Sequence, residues 1–213
     1  MDTRSGRDSI ASANVTGNAR ITGALGAVIF VLLFFEGLTI PSVQSLMWLH
    51  AFLGMLLVAF VVAKIASTSY RFARYYLGQR DYVTKGPPPA FLRLLGPVAT
   101  VTTIAVLATG IGALLARHTH WLQFAHKASF VVWFAAMTLH VLGHALETPA
   151  LAFADWRRGR RREAPGAPAR FAVLMLAVAA GLVLAVLSLH WAHQWQHDRG
   201  APANDRPATA VAS

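Results

Sequence analysis

Apolar residues gather along this chain into five long blocks, separated by shorter polar or basic connections. The blocks cover residues 21–40, 45–67, 94–116, 121–146 and 171–192. A helix needs about 20 mainly apolar residues to cross the hydrocarbon of a bilayer, and each block is long enough. The pattern predicts an all-α fold, an integral membrane bundle of five transmembrane helices.

The composition is typical of a membrane protein and excludes several kinds of site and chemistry. Of the 213 residues, 55% are hydrophobic and only 13% are charged, whereas roughly 25% are charged in ordinary soluble domains. The chain has no cysteine, which excludes disulfides, thiolate metal sites and iron–sulfur clusters. No glycine-rich phosphate loop or nucleophile motif occurs in a suitable context. Nothing therefore indicates hydrolytic chemistry.

The first block raises the question of a cleaved signal peptide, because arginines precede its apolar run. The run is long, and the following "EGLTIPSVQS" contains no convincing cleavage site of small residues. We therefore expect a retained membrane anchor.

The basic residues predict how the helices are oriented. Fourteen lysines and arginines fall in the N-terminal arm and the second-to-third and fourth-to-fifth connections, and four fall on the other side. Since positive charge favours the cytoplasmic face, we expect a cytoplasmic arm (1–19), a transmembrane bundle (20–192) and an outer disordered tail (193–213), in a bacterial-type inner membrane. The net charge of +10 is then explained by orientation and anionic lipid, so no nucleic-acid partner is expected.

Histidines within the apolar blocks are the main candidates for chemistry, because ionisable groups in membrane spans are costly and usually functional. His50 and His126 lie near the starts of the second and fourth blocks, which run in the same direction. They should therefore sit at a similar depth, near the outer face. Two neutral imidazoles facing each other across a bundle are the usual axial ligands of a b-type haem. Gly54, one turn beyond His50, would let a flat macrocycle approach the backbone.

A second, inner level follows from the spacing. His140 lies 14 residues after His126, nearly four turns and roughly 21 Å along a helix. The same step from His50 reaches Lys64 instead of a histidine. Three interpretations are open. The inner haem is absent, or lysine serves as an unusual axial ligand. In the third, Lys64 extends to the cytoplasmic interface, and His140 or His144 has another partner.

Three segments carry a resemblance to a known family: "WLHAFLG", "ATGIGALL" and "HKASFVVWFAAMTLHVLGH". Over about residues 40–192 the chain resembles bacterial cytochrome b561-like and hydrogenase-type cytochrome b subunits. The resemblance implies electron transfer between quinone and a partner redox subunit through one or two b haems. It implies axial roles for His50 and His126 and an inner role for His140, while Lys64 departs from the pattern and puts the second haem in doubt.

The sequence thus predicts a membrane b-type cytochrome, an electron-transfer subunit rather than a stand-alone enzyme. A haem-free transporter or an accessory anchor remains the alternative, with Lys64, His140 and His144 as a proton path. Glu36 could carry protons for quinol or simply hydrate at the interface. The stripe His190, His193 and His197 could bind a metal ion or belong to an interfacial helix end.

Overall fold

The computed structural model describes residues 3–84, 90–116, 118–144, 152–153 and 166–200, and within them the chain is helical. The helices are α1 (Thr3–Thr39), α2 (Met47–Tyr76), α3 (Arg80–Thr84), α4 (Ala90–Leu115), α5 (His120–His144) and α6 (Ala167–Gly200). A short 3-10 turn, Ile40–Ser42, joins α1 to α2.

Five of the described helices are long and apolar enough to cross a membrane. The spans are Val15–Ser42, Met47–Tyr76, Arg93–Leu115, His120–His144 and Ala167–Asp198. Their most apolar windows have mean hydropathies between 1.2 and 2.7, the lowest belonging to α5 with its histidines. For the described residues, the prediction of an all-α protein with five helices long and apolar enough to span a membrane is confirmed.

Two helices extend beyond their apolar blocks into residues assigned to the polar ends of the chain. α1 begins at Thr3, within the expected arm, and α6 continues to Gly200, within the expected disordered tail. Burial explains the second extension, because Ala192 is fully buried and Trp195 is nearly so. The glycine–proline connection (86–89), most of the arginine-rich connection and residues 201–213 lie outside the described residues.

Helix α2 is the central element of the bundle. It packs along α1 and α6, while α5 packs along α4. A cluster of buried residues joins α1, α2 and α6. It is formed by Leu25, Ile29, Leu57, Phe60, Val61 and Ala177. Gly181 permits the close approach of α6 to α2, since a Cβ there would lie 2.7 Å from Leu56 Cδ1 and 2.9 Å from its carbonyl oxygen.

The α4–α5 pair packs less extensively against the other long helices, α1, α2 and α6. A smaller cluster of buried residues lies where the two groups of helices meet. It consists of Ala51, Leu114, Ala192 and Trp195. Beside it lies an apolar cavity of about 230 Å³ between α2, α4 and α6, with Met55, Ile111 and Leu184 in its lining. The junction between the two groups of helices therefore lies at the level of α2 where His50 is found.

Candidate functional site

The structure brings the imidazoles of His50 and His126 together across this junction. Their ring centroids are 6.3 Å apart and their planes are inclined by 70°. His50 lies in the first turns of α2 and His126 in the second turn of α5, so both come from the same end of the bundle. The two residues predicted to share a depth therefore face each other.

His126 is held against α4 by a glycine. Its Nδ1 lies 3.0 Å from the carbonyl oxygen of Val106. A side chain at the residue four positions later would cover that carbonyl, because helical side chains lean over the preceding turn. That residue is Gly110, where a Cβ would come within 2.9 Å of His126 Cε1. The missing side chain leaves room for the ring.

His50 is held in a comparable way by the end of α1. Its Nδ1 lies 2.8 Å from Thr39 Oγ1 and 3.1 Å from Glu36 Oε1. The Thr39 hydroxyl donates its one hydrogen to the Glu36 backbone oxygen at 2.6 Å and is 2% exposed. It can therefore only accept a hydrogen bond from His50.

These contacts fix the tautomer of both imidazoles. The Val106 carbonyl can only accept, and the Thr39 hydroxyl has no hydrogen left to give, so each Nδ1 carries the hydrogen. Each Nε2 of the neutral ring is then a lone-pair donor. Within the described part of the chain, neither Nε2 makes a hydrogen bond. A neutral imidazole with its Nε2 lone pair available can bind a metal ion.

The separation of the two ring centroids is compatible with a metal ion between the rings. Metal–imidazole bonds are about 2 Å long, so two rings on opposite sides of one ion have centroids roughly 6 Å apart. Rotation about each metal–nitrogen bond leaves the angle between the planes free, and 70° is compatible. Metal-bound histidines commonly donate their other ring N–H to a carbonyl or carboxylate, as His50 and His126 do.

The number of protein ligands decides which kind of metal centre these residues fit. Among the described residues, no group of three or more His, Cys, Asp or Glu side chains is placed to hold a metal ion. A bare zinc ion usually takes three or four protein ligands. A haem iron needs only the two axial ones, because the macrocycle supplies the other four. The histidine pair therefore fits a haem in its donor chemistry.

The apolar cavity between α2, α4 and α6 has neither His50 nor His126 in its lining. The adjoining cavity of about 230 Å³ lies below the roughly 300 Å³ at which small-molecule pockets begin. A macrocycle held by the pair would need more space than this cavity provides.

Gly54 lies one turn beyond His50, as the sequence predicts, and the side of α2 on which it lacks a side chain faces Glu36. A Cβ at Gly54 would lie 3.4 Å from Glu36 Oε1. The group nearest to this position is therefore the carboxyl group that reaches His50, at an ordinary contact distance. The other carboxyl oxygen, Oε2, is buried and has no hydrogen-bond partner among the described residues.

Lys64 hydrogen-bonds to α1 and also lies close enough to His140 to interact with it electrostatically. Lys64 Nζ donates to the Thr22 carbonyl oxygen of α1 at 3.0 Å. One turn further along α2, Ser67 bonds to Thr22 Oγ1 and to Asn18 Oδ1, at 2.5 and 2.9 Å. Lys64 therefore belongs to a polar contact between α1 and α2.

His140 and His144 lie one turn apart on α5, with ring centroids 4.9 Å apart. His140 Nδ1 is buried without a hydrogen-bond partner among the described residues. The structure thus brings these two histidines together on one helix. Among the residues that the structure describes, neither has an opposing histidine from another helix of the kind that His50 and His126 give each other.

The outer end of α6 carries the remaining candidates. His190, His193 and His197 are exposed, and His190 Nε2 contacts Gln194 Nε2 at 2.9 Å. The same helix end is fixed to the loops by Gln196, which donates to the Ser45 carbonyl at 2.9 Å. These contacts hold the C-terminal end of α6 against the connection between α1 and α2.

Three residues that shape the outer site were not singled out from the sequence: Thr39, Val106 and Gly110. Val106 contributes only its backbone carbonyl, which no residue type encodes. Gly110 could have been identified from the sequence, because a glycine inside an apolar helix often marks a place where another helix packs closely.

Comparison of the chain with protein-family models, with curated proteins and with solved structures finds no match. The functional argument therefore depends on the residues themselves.

Proposed function

We propose that this protein is a membrane b-type cytochrome that transfers electrons between a quinone pool and a partner redox protein. One observation supports this most strongly. His50 and His126 face each other with both Nδ1 hydrogens engaged, which leaves two Nε2 lone pairs for one iron.

The residues around the pair would hold and tune the iron ligands. Haem, when bound, supplies the one-electron redox step. Val106 orients His126 through its carbonyl, and Thr39 and Glu36 orient His50. Acceptors on Nδ1–H raise the basicity of the ligating nitrogen, which favours the oxidised iron. One haem b is proposed here, because Lys64 is engaged with Thr22.

The orientation we propose follows the charges. Fourteen basic residues on one side would place the N-terminus in the cytoplasm of a bacterial-type cell, in its inner membrane. The histidine pair would then lie near the outer face. Since we find no nucleotide-binding motif in the sequence, a partner subunit would donate or accept electrons, and membrane quinol is a candidate donor.

A reduced-minus-oxidised absorption spectrum tests this proposal. The full chain, expressed with sufficient haem and purified in detergent, should show a b-type α band after dithionite. Reduction of the same band by a quinol analogue would support the quinone role. No α band in haem-replete protein would contradict the cytochrome proposal.

The alternative is a haem-free transporter or accessory subunit in which the intramembrane residues carry protons. Lys64 with its α1 contact is the observation that favours it. Its proton path would run through Lys64, His140 and His144, and Lys64 lies close enough to His140 to interact with it electrostatically. Proton uptake by liposomes holding haem-free protein, abolished by Lys64→Met, would support the alternative.

A further inference from the structure

A small cavity lies between α1 and α6, near the residues at which the membrane-spanning segments of both helices begin. Its volume is about 40 Å³, and its lining includes Arg20 of α1 and Arg170 of α6. Two guanidinium groups from different helices therefore reach the same space. Glu36, whose carboxyl group contacts His50, lies toward the other end of the α1 span, so the cavity is remote from the outer histidine pair.

The lining of this cavity is basic at one level and apolar one turn deeper. Ala24 lies four residues after Arg20, Leu174 lies four residues after Arg170, and all four residues line the cavity. Each step covers about 6 Å along a helix and leads from the start of a span toward its middle. A phospholipid has the same order, with its phosphate near the membrane surface and its acyl chains below.

Both arginines are directed toward the protein. Arg20 is only 3% exposed. The Arg170 guanidinium lies over α1 at Gly17, where a Cβ would come within 3.2 Å of its Nη1. An arginine near the end of a membrane helix ordinarily extends to the water–lipid interface. The packing of α1 against α6 instead holds these two groups at the cavity.

A guanidinium group offers more hydrogen-bond donors than one partner uses. It carries its N–H groups in a planar fork that matches a pair of phosphate oxygens. Arg20 and Arg170 also take part in other contacts of the chain, and a phosphate that binds one side of each fork is compatible with them. The 40 Å³ of the cavity hold roughly three water molecules, which a phosphate group can replace.

Phe171 marks the side of the cavity that borders the bilayer. This residue lines the cavity, is 57% exposed and belongs to the span Ala167–Asp198. A lipid can therefore enter sideways from the membrane, with its phosphate at the arginines and its chains along the apolar surface of α6. This route favours a lipid phosphate over a phosphate ion from water.

We propose that Arg20 and Arg170 bind the phosphate of an anionic phospholipid between α1 and α6. Basic pockets between membrane helices are a known kind of site for acidic lipid headgroups. α1 and α6 pack mainly against α2 rather than against each other, so a phosphate bound to both arginines would join them. The proposal does not depend on haem at the outer histidine pair.

Lipid binding to the full chain tests the site. Delipidated protein in a non-ionic detergent is titrated with phosphatidylglycerol, phosphatidylcholine or inorganic phosphate. Bound molecules are counted by native mass spectrometry, and the melting temperature is recorded with and without each ligand. The variants are Arg20→Gln and Arg170→Gln. Arg93→Gln is the matched control, because Arg93 is exposed at the start of the α4 span and does not line the cavity.

The wild type should bind one phosphatidylglycerol per chain with highest affinity and should melt at a higher temperature when this lipid is bound. Either cavity substitution should weaken the binding at least roughly tenfold, because charge-assisted hydrogen bonds to the phosphate are lost. Arg93→Gln should bind like the wild type. Phosphatidylcholine should bind more weakly, since its choline places a positive charge beside the arginines.

Several results would overturn the site. Equal affinity of the wild type for the two lipids would remove the role of headgroup charge, and an equal loss of binding in Arg93→Gln would show a general surface effect. Inorganic phosphate that displaces the lipid and raises the melting temperature as much would assign the cavity to a free anion. The comparison of ligands uses the wild type alone, so it decides the question even where a variant fails to fold.

Discussion

Gly110→Ala perturbs the outer histidine site without removing any functional group. The added methyl carbon would lie 2.9 Å from His126 Cε1 and 3.1 Å from its Nδ1. Ordinary contact begins near 3.4 Å, so the ring must move by about 0.5 Å. A metal site tolerates displacements of only about that size.

This displacement lengthens the hydrogen bond between His126 and the Val106 carbonyl. Moving the ring away from α4 stretches the 3.0 Å contact between His126 Nδ1 and the Val106 carbonyl beyond good geometry. Losing one such bond costs about 1 kcal/mol, which is roughly fivefold in binding. Alanine is also about 1 kcal/mol better than glycine inside a helix. We therefore expect weaker haem binding together with unchanged or higher stability of the haem-free bundle.

The assay is haem transfer to an acceptor protein together with thermal unfolding of haem-free protein. Gly112→Ala is the matched control, because it lies in the same helix and its Cβ would meet Leu122 Cδ2 at an ordinary 3.4 Å. Haem retention equal to wild type in Gly110→Ala would refute the packing argument. A melting temperature that falls together with retention would show general damage instead.

Three further substitutions test other contacts. Thr39→Val removes the hydroxyl that accepts from His50 and should raise the midpoint potential in a redox titration while haem is retained; an unchanged potential would contradict that role. Lys64→Met removes the bond to the α1 carbonyl and should lower stability by about 1 kcal/mol with the haem ratio unaffected, whereas a change in that ratio would show that the lysine serves a haem. Gly181→Ala would place a methyl carbon 2.9 Å from the Leu56 carbonyl and should cost about 1–3 kcal/mol in thermal unfolding, and a wild-type melting temperature would contradict the close packing of α2 and α6.

Among the described residues, the hydrophobic pattern was enough to predict the five helices of membrane-spanning length and that His50 and His126 face each other. Apolar blocks of membrane-spanning length have few alternatives to helix, since every backbone group must be satisfied within hydrocarbon. The shared depth of His50 and His126 then followed from the parallel direction of their helices. Whether they hold haem stays a prediction.

The partners of the site residues were less accessible to sequence reasoning. Val106 acts through its carbonyl, which every residue carries. Gly54 was expected to face a macrocycle, but the side on which it lacks a side chain faces Glu36, because packing between α1 and α2 decided its neighbour. The end of α6 looked polar enough for a disordered tail, yet Trp195 packs inward and the helix continues to Gly200.

The haem-to-polypeptide ratio tests the central claim most directly. Pyridine-haemochrome measurement on detergent-purified protein should give one haem b per chain for the wild type and for His140→Ala. It should give none for His50→Ala or His126→Ala, with each variant still eluting as a folded species. Full haem in His126→Ala, or two haems in the wild type, would contradict a single centre held by His50 and His126.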